Sequence, residues 1–126
     1  MSRNEVVIID YGIGNILSVV HSFEEIGIKT VITSDNKTIE NAKYLVLPGV
    51  GAFEKAITAL HNLKLVDSII KTANQGVPLL GICLGMQLLL DESEEFGISR
   101  GLGLIPGRVE GLPKGILNNN LMKIPQ

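Results

Sequence analysis

The chain has 126 residues, 45% of them hydrophobic and 19% charged, which is typical of one globular domain. Its formal net charge of −2 argues against nucleic acid or an anionic membrane as a partner. A single cysteine excludes an internal disulfide and suits a reducing cytoplasm. The first apolar run, Val6–Ile9, is too short for a signal peptide, and no later stretch predicts a membrane span. We therefore expect a cytoplasmic domain.

Short apolar runs alternate with amphipathic segments along the first ninety residues. The runs predict buried strands, and the segments carry apolar residues at helical spacing. This alternation predicts a mostly parallel sheet with crossover helices, an α/β sandwich of three layers. The predicted strands are Glu5–Asp10, Lys29–Ser34, Tyr44–Gly49 and Val77–Ile82, and the predicted helices are Ile16–Ile26, Phe53–Leu60, Leu65–Ala73 and a segment from Leu84 onward.

The stretch from Phe96 to Gly115 has a different character. It is rich in glycine and proline and carries only short apolar pieces, which predicts a β-hairpin or loop laid against the sheet. The ending, LNNNLMKIPQ, offers no helix or cap that would close a domain. We therefore expect residues 1–126 to form a single domain that is incomplete at its C-terminal end.

The only cysteine, Cys83, lies between Gly81 and Gly85, with a predicted strand before it and a predicted helix after it. This G-x-C-x-G pattern is the thiol version of a nucleophile elbow, in which a sharp, strained turn raises the nucleophile above the sheet. The helix dipole favours the thiolate, and the Leu84 amide would face a developing oxyanion. A lone cysteine is more often a small buried hydrophobe, but both glycines favour a nucleophile here.

A second glycine-containing turn, Pro48–Gly51, follows the third predicted strand. The carboxyl ends of parallel strands meet at one edge of a sheet, so we expect this turn beside Cys83. Its amides could face a negative charge that develops on a substrate. The simpler alternative, an ordinary strand-to-helix turn, is equally compatible with the sequence.

Four segments together carry a family resemblance: DYGIGN, LPGVGAF, GICLGMQLL and GLGLIPGRV. They resemble the class I (triad-type) glutamine amidotransferases, and within them the HisH-type glutaminase subunits of imidazole glycerol phosphate synthase. The resemblance extends from about Val6 to Val109. It implies a flavodoxin-like amidotransferase fold.

The resemblance also implies roles for individual residues. Cys83 would attack the side-chain amide of glutamine, and Asn15 would lie toward a partner subunit. The oxyanion hole would combine the Leu84 amide with one from the Val50–Gly51 turn. Gly49 and Gln87 would help to hold the substrate, and the polar Gln87 stands among apolar helix neighbours.

The reaction implied by the resemblance is hydrolysis of glutamine through a thioester, with release of ammonia and then glutamate. The ammonia would pass to a cyclase partner, a (β/α)₈ barrel, which forms imidazole glycerol phosphate and AICAR in histidine biosynthesis. Neither a cofactor nor a metal is implied.

The family's catalytic base is missing from this sequence. The family places its histidine and glutamate in an H-x-E segment late in the chain, whereas the only histidines here, His21 and His61, begin no such motif. We interpret both as ordinary helix residues. The tail MKIPQ resembles the start of the segment that leads to the family's H-x-E. We therefore expect these 126 residues alone to have little or no glutaminase activity.

Three other interpretations stay open from the sequence. A paralogous amidotransferase could supply ammonia for an amino sugar in surface-polysaccharide synthesis, and a remnant without catalysis could only bind a partner. A dinucleotide site is the third, because Gly12 and Gly14 follow a predicted strand and Asp35 follows the next one. Leu17 replaces the third glycine of that fingerprint, which weakens the match.

Overall fold

The computed structural model describes residues 5–112, 116–117 and 120–121. Strands and helices alternate through the first ninety of them, and short strands follow. The strands are β1 (Glu5–Ile9), β2 (Lys29–Thr33), β3 (Leu45–Leu47), β4 (Leu79–Gly81), β5 (Leu90–Ser93), β6 (Ser99–Arg100), β7 (Ile105–Val109), β8 (Ile116–Leu117) and β9 (Asn120–Leu121). The helices are α1 (Ile16–Glu25), α2 (Asn36–Glu40), α3 (Phe53–Asn62), α4 (Val66–Asn74) and α5 (Leu84–Leu88).

The first four strands form one parallel sheet in the order β2-β1-β3-β4. Val7 lies opposite Val31 on one side and Leu45 on the other, so β1 and β3 are neighbours. Leu47 pairs with Gly81 at the carboxyl ends of β3 and β4. These pairings bring the segments that follow β1, β3 and β4 to the same edge of the sheet.

Alternate residues of the strands face two hydrophobic layers. Val6, Ile8 and Val46 face α1, whose apolar side chains pack against them. Val7, Ile9, Leu45 and Leu47 face the opposite side, where buried residues of α3, α4 and α5 complete the larger core. Helices on both faces of a parallel sheet make the predicted three-layer α/β sandwich, and this prediction is confirmed.

A second, smaller sheet follows, in the order β6-β5-β7. β5 and β6 form a hairpin, and β7 adds in parallel to the other side of β5. The sequence predicted a hairpin or loop within Phe96–Gly115, but the first strand of this hairpin lies earlier, in the segment predicted as helix, and β6 and β7 do not pair with each other. Leu102, just after β6, is buried in the larger core, which attaches this sheet to the sandwich. β8 and β9 pair with each other. The sequence predicted no closing element over residues 117–126. The structure describes only 117, 120 and 121 of these residues, so most of this prediction lies outside the described residues.

Two elements differ from the sequence prediction. The helix α2, between β2 and β3, was not predicted; it is one short turn with a single buried apolar residue, Ile39, so it has no hydrophobic periodicity. The helix expected from Leu84 onward ends at Leu88, because the Leu88 and Leu89 carbonyls accept hydrogen bonds from Leu102 and Leu104. The leucine run does not reveal this change, since a continuous apolar run fits a helix or a buried strand equally well.

Within the residues that the structure describes, no helix combines the length and the apolar character needed to cross a membrane.

Candidate active site

Cys83 occupies the turn between β4 and α5, at the carboxyl edge of the parallel sheet. Its backbone has φ 55° and ψ −120°, a conformation that residues with a side chain rarely adopt. The side chain is exposed and the thiol is free. A strained backbone, an exposed sulfur and a sheet edge together give the elbow geometry that the sequence pattern indicated, and the role of Cys83 as a nucleophile stays a prediction.

The two glycines around Cys83 are required by close backbone contacts. A Cβ atom on Gly81 would lie 2.6 Å from the Met86 Cα atom. A Cβ atom on Gly85 would overlap the Leu47 carbonyl oxygen and lie 2.8 Å from the Leu47 carbonyl carbon. The first turn of α5 therefore packs directly on the ends of β3 and β4, and this packing holds Cys83 in its unusual conformation.

The Pro48–Gly51 turn lies beside Cys83, as the sheet order requires. A Cβ atom on Gly49 would lie 2.9 Å from the Gly85 nitrogen and 3.1 Å from the Leu84 Cβ atom, so the turn touches the start of α5. Gly51 has φ 92°, which favours glycine, and Val50 between them is more than half exposed. The structure thus brings Gly49, Leu84 and Cys83 together.

The Leu84 N–H is not free to face an oxyanion, which differs from the expectation. Its N–H donates a hydrogen bond of 3.3 Å to the Gly49 carbonyl oxygen. The Gly49–Val50 peptide therefore presents its carbonyl, rather than its N–H, to the start of α5. In this conformation the predicted oxyanion hole is occupied by a protein acceptor.

Tyr11 contacts the same turn from the end of β1. Its hydroxyl donates a 2.5 Å hydrogen bond to the Pro48 carbonyl oxygen, and its side chain is 3% exposed. Burial raises the pKa of Tyr11 to about 12, so the phenol stays protonated and able to donate at neutral pH. Tyr11 thus belongs to the wall behind the turn.

Gln87 lies one helical turn after Cys83, and its backbone N–H donates a hydrogen bond to the Cys83 carbonyl. Its half-buried side chain borders a groove of about 350 Å³ that is open to solvent. The other residues of this groove are Glu94, Glu95, Val109, Glu110 and Gly111. Three carboxylates therefore stand on the side of α5 that carries Gln87, and Arg108 pairs with two of them, Glu94 at 3.7 Å and Glu110 at 3.8 Å. With three carboxylates against one guanidinium, the groove is acidic.

Asn15, the residue predicted to face a partner, has a structural role at the start of α1. Its side-chain oxygen accepts a 3.3 Å hydrogen bond from the Ser18 amide, which caps the helix. The side chain is exposed at the carboxyl edge of the sheet. Contact with a partner stays a prediction.

Neither histidine lies near the carboxyl edge that holds Cys83. His61 is in the last turn of α3, which begins at that edge, and eight residues of helix carry it about 12 Å away. His21 is exposed on α1, beyond the first turn of that helix. Among the described residues, no three histidine, cysteine or carboxylate side chains cluster closely enough to hold a metal ion.

In the structure, the acidic residue that a dinucleotide site would need has another role. Asp35 caps α2, accepting hydrogen bonds of 3.0 Å from the Thr38 amide and 2.9 Å from the Thr38 hydroxyl. The Thr38 amide, with help from its hydroxyl, holds the pKa of the Asp35 carboxyl below its usual value. A helix cap therefore accounts for this carboxylate without a ribose.

A comparison with protein families shows to which family the chain belongs. The family model described as glutamine amidotransferase class-I matches residues 7–116, most of the chain. The chain is a class I glutamine amidotransferase domain. Cys83, the Pro48–Gly51 turn and α5 all lie within the matched residues.

Curated relatives of this amidotransferase domain include HisH proteins. A protein named imidazole glycerol phosphate synthase subunit HisH from Geobacillus sp. (strain WCH70) is 48% identical over 118 residues, 94% of this chain and 56% of that protein. The protein of the same name from Moorella thermoacetica is 50% identical over 111 residues, 88% of this chain and 53% of that protein. The chain spans slightly more than half the length of these relatives.

Solved structures show the same fold at low sequence identity. A crystal structure of a glutamine amidotransferase superposes with a TM-score of 0.68 at 20% identity, over 82% of this chain and 55% of that one. A protein of Listeria monocytogenes EGD-e that carries a peptidase E name has a TM-score of 0.66 at 10% identity, over 82% and 64% of the two chains. These similarities support the amidotransferase domain's architecture and nothing beyond it.

Sequence reasoning missed two features of this candidate site. Tyr11 could have been found, because it follows a predicted strand and the adjacent strand ends in Pro48. The acidic groove beside Gln87 could not, since it depends on β5 and β7 pairing in parallel across a long separation.

Proposed function

We propose that this chain is the thiol-bearing part of a glutaminase that releases ammonia from glutamine. The observation that carries the proposal is Cys83, strained and exposed on an elbow beside a glycine-containing turn. Holding Cys83 at φ 55° in a packed turn stores backbone strain, which an ordinary structural cysteine does not need.

The chemistry uses the sulfur as a nucleophile. The Cys83 thiolate adds to the side-chain carbonyl carbon of glutamine, and the carbonyl oxygen becomes an oxyanion. Collapse of this intermediate breaks the carbon–nitrogen bond, and ammonia leaves after taking up a proton. Water then adds to the thioester, which releases glutamate and returns the thiol.

The acidic groove suits the other end of the substrate. Glutamine carries an α-ammonium group, and Glu95 offers a carboxylate to bind it, while Glu94 and Glu110 already pair with Arg108. Gln87 stands between this groove and Cys83, where its amide can contact the substrate. The substrate would then bridge the groove and the elbow.

The oxyanion hole requires a change in the Pro48–Gly51 turn. Rotation of the Gly49–Val50 peptide would remove the Gly49 carbonyl from the Leu84 amide and turn the Val50 N–H toward the substrate. Both amides would then face the oxyanion, which is where such donors lower a reaction barrier most.

We also propose that these 126 residues turn over glutamine slowly by themselves. His21 and His61 lie on helices that lead away from Cys83, so neither can activate the thiol or protonate the leaving ammonia. Steady-state ammonia release, measured with a cyclase partner present, should stay several orders of magnitude below that of a complete HisH protein. Normal turnover would contradict this proposal.

The name of the relatives, imidazole glycerol phosphate synthase subunit HisH, supports histidine biosynthesis as the pathway. We propose that ammonia passes to the cyclase subunit of imidazole glycerol phosphate synthase, a (β/α)₈ barrel, in the cytoplasm, and that residues 1–126 act as one amidotransferase domain. Asn15 would face this partner. Because Asn15 also caps α1, Asn15→Ser, which keeps a capping oxygen, should weaken partner binding as much as Asn15→Ala does.

Covalent labelling tests the central proposal. A chloromethyl ketone analogue of glutamine should add one label to the wild-type chain, and Cys83→Ala should take none, as intact-protein mass spectrometry can show. Cys83 is the only cysteine, so the site of a thiol label is unambiguous. Excess glutamine should slow the labelling, while excess glutaramic acid, which is glutamine without its α-ammonium group, should not.

The control reagent is iodoacetamide, which alkylates an accessible thiol without recognising glutamine. If iodoacetamide labels the wild-type chain and the glutamine analogue does not, the glutaminase proposal is wrong. The chain would then be a partner-binding remnant, in which Cys83→Ala changes nothing that depends on glutamine.

A further inference from the structure

The buried hydroxyl of Tyr11 is aimed at one peptide of the turn beside Cys83. It donates to the Pro48 carbonyl oxygen at 2.5 Å, and the side chain is almost wholly enclosed. This carbonyl belongs to the Pro48–Gly49 peptide, which comes directly before the peptide that covers the Leu84 amide. Tyr11 follows β1 and Pro48 follows β3, so the contact joins two neighbouring strand ends.

The Pro48–Gly49 peptide is enclosed on several sides. A Cβ atom on Gly14 would lie 3.3 Å from the Pro48 Cβ atom and 3.5 Å from the Gly49 nitrogen, so the Gly14 backbone packs against the proline. A Cβ atom on Gly49 would lie 2.7 Å from the Tyr11 hydroxyl oxygen and 2.9 Å from the Gly85 nitrogen. This peptide has little room to turn.

The next peptide, Gly49–Val50, is held less firmly. Its carbonyl accepts a long hydrogen bond of 3.3 Å from Leu84, and Val50 beyond it is exposed. A rotation of this peptide changes ψ of Gly49 and φ of Val50 and leaves the Pro48 carbonyl where it is. A fixed peptide and a movable one are therefore joined at Gly49.

We propose that Tyr11 is a positioning residue for the glutaminase reaction, whose hydroxyl fixes the Pro48–Gly49 peptide so that only the Gly49–Val50 peptide rotates when the oxyanion forms. The inference rests on the proposed function, since it assigns a role in forming that site's oxyanion hole. Without the Tyr11 hydroxyl, the buried Pro48 carbonyl loses its donor, and the rotation spreads over two peptides. The Val50 and Leu84 amides then no longer converge on one oxygen.

Two thiol reagents separate this role from a structural one. The chloromethyl ketone analogue of glutamine reacts through addition of the thiolate to its carbonyl, which needs the oxyanion hole, and a carbon–sulfur bond then forms as chloride leaves. Iodoacetamide reacts by direct displacement of iodide and needs no oxyanion hole. The ratio of the two labelling rates at Cys83 therefore reports the hole and cancels changes in thiol ionisation or access.

Tyr11→Phe should lower this ratio about tenfold in the 126-residue chain, because it removes the donor and keeps the ring. Tyr44→Phe is the matched control: it changes the only other tyrosine, which is exposed at the opposite end of β3, and should leave the ratio unchanged. Ile69→Val, which removes a buried methylene group on α4, controls for lost stability. All variants are compared at a temperature at which melting curves show them fully folded.

Each outcome decides the matter. A lower ratio in Tyr11→Phe alone supports the positioning role. An unchanged ratio, in a wild-type chain that the glutamine analogue labels, overturns it and leaves the proposed function standing. A wild-type chain that only iodoacetamide labels overturns both.

If Tyr11→Phe does not fold, a fluorinated tyrosine provides the second test. In the Tyr44→Phe chain, Tyr11 is the only tyrosine to carry the fluorinated phenol, which loses its proton at a lower pH than tyrosine. The labelling ratio should fall as this phenol ionises, because a phenolate cannot donate a hydrogen bond. A ratio that stays constant through the ionisation, followed by its absorbance, overturns the proposal.

Discussion

Gly85 marks the closest approach between α5 and the end of β3. A Cβ atom there would overlap the Leu47 carbonyl, which is fixed in the sheet and cannot withdraw as a flexible side chain would. We predict that Gly85→Ala destabilises the chain by about 3 kcal/mol or more, because a backbone element has to move. Urea unfolding followed by circular dichroism measures this loss.

Gly111→Ala is the matched control for this substitution. A Cβ atom on Gly111 would meet nothing within 4 Å, so its free energy of unfolding should stay within about 0.5 kcal/mol of the wild-type value. Equal effects of the two substitutions would show that the elbow is not as tightly packed as the contacts indicate.

The sequence indicated which residues form the elbow but not which way its neighbouring peptide faces. The role of Gly81 and Gly85 could be inferred from the sequence, because a side chain at either position would collide with backbone atoms. The Gly49–Val50 peptide is different, because both of its orientations fit the same residues. In the structure its direction follows the Leu84 amide, which takes the Gly49 carbonyl as its acceptor.

At the scale of single elements, α2 depends on its cap more than on its core. The Asp35 carboxylate accepts hydrogen bonds from Thr38, and these hold its pKa below the usual value. Folding therefore favours the ionised carboxylate. Its contribution to stability is present above the unfolded-state pKa of about 4 and is lost as the pH falls through the lower folded-state value.

We predict that Asp35→Ala lowers the melting temperature at pH 7 and that this difference shrinks as the pH falls below about 4. Asp35→Asn is the control, since an amide oxygen caps a helix at every pH. Thermal unfolding of the three proteins across this range checks both expectations. A difference between wild type and Asp35→Ala that is constant with pH would contradict the assigned cap.

The elements that the sequence predicted are those with a strong apolar pattern. β1 is an uninterrupted β-branched run, and α1, α3 and α4 carry apolar residues at helical spacing. The elements that it missed have other causes. α2 relies on a polar cap, and the change from α5 to β5 is determined by hydrogen bonds from residues more than ten positions later.

For the whole molecule, the order of the strands explains how distant segments share one site. Placing β1 and β4 on either side of β3 brings Tyr11, Pro48 and Cys83 to the same edge, although they are far apart in the chain. The alternation of strands and helices predicted a parallel sheet from the sequence. The order of its strands came from the structure, because buried apolar runs are interchangeable in composition.

The face of the sheet that carries α1 is only partly covered in the described residues. A groove of about 450 Å³ lies there between α1 and the outer strand β4, lined mainly by apolar side chains that include Phe23, Val46 and Leu80. Leu80 is 52% exposed although it belongs to a strand. Exposed apolar surface at the edge of a sheet favours dye binding and self-association.

We predict that Leu80→Lys reduces both the fluorescence of a hydrophobic dye and the self-association of the chain, because it places a charge in this groove. Labelling of Cys83 by iodoacetamide should not change, since Leu80 lines the groove beside α1 and does not belong to the turn that holds Cys83. Leu63→Lys is the matched control, as Leu63 is 45% exposed after α3 and lies outside the groove. Sedimentation measures the association; if Leu63→Lys reduces it equally, general charge rather than the groove is responsible.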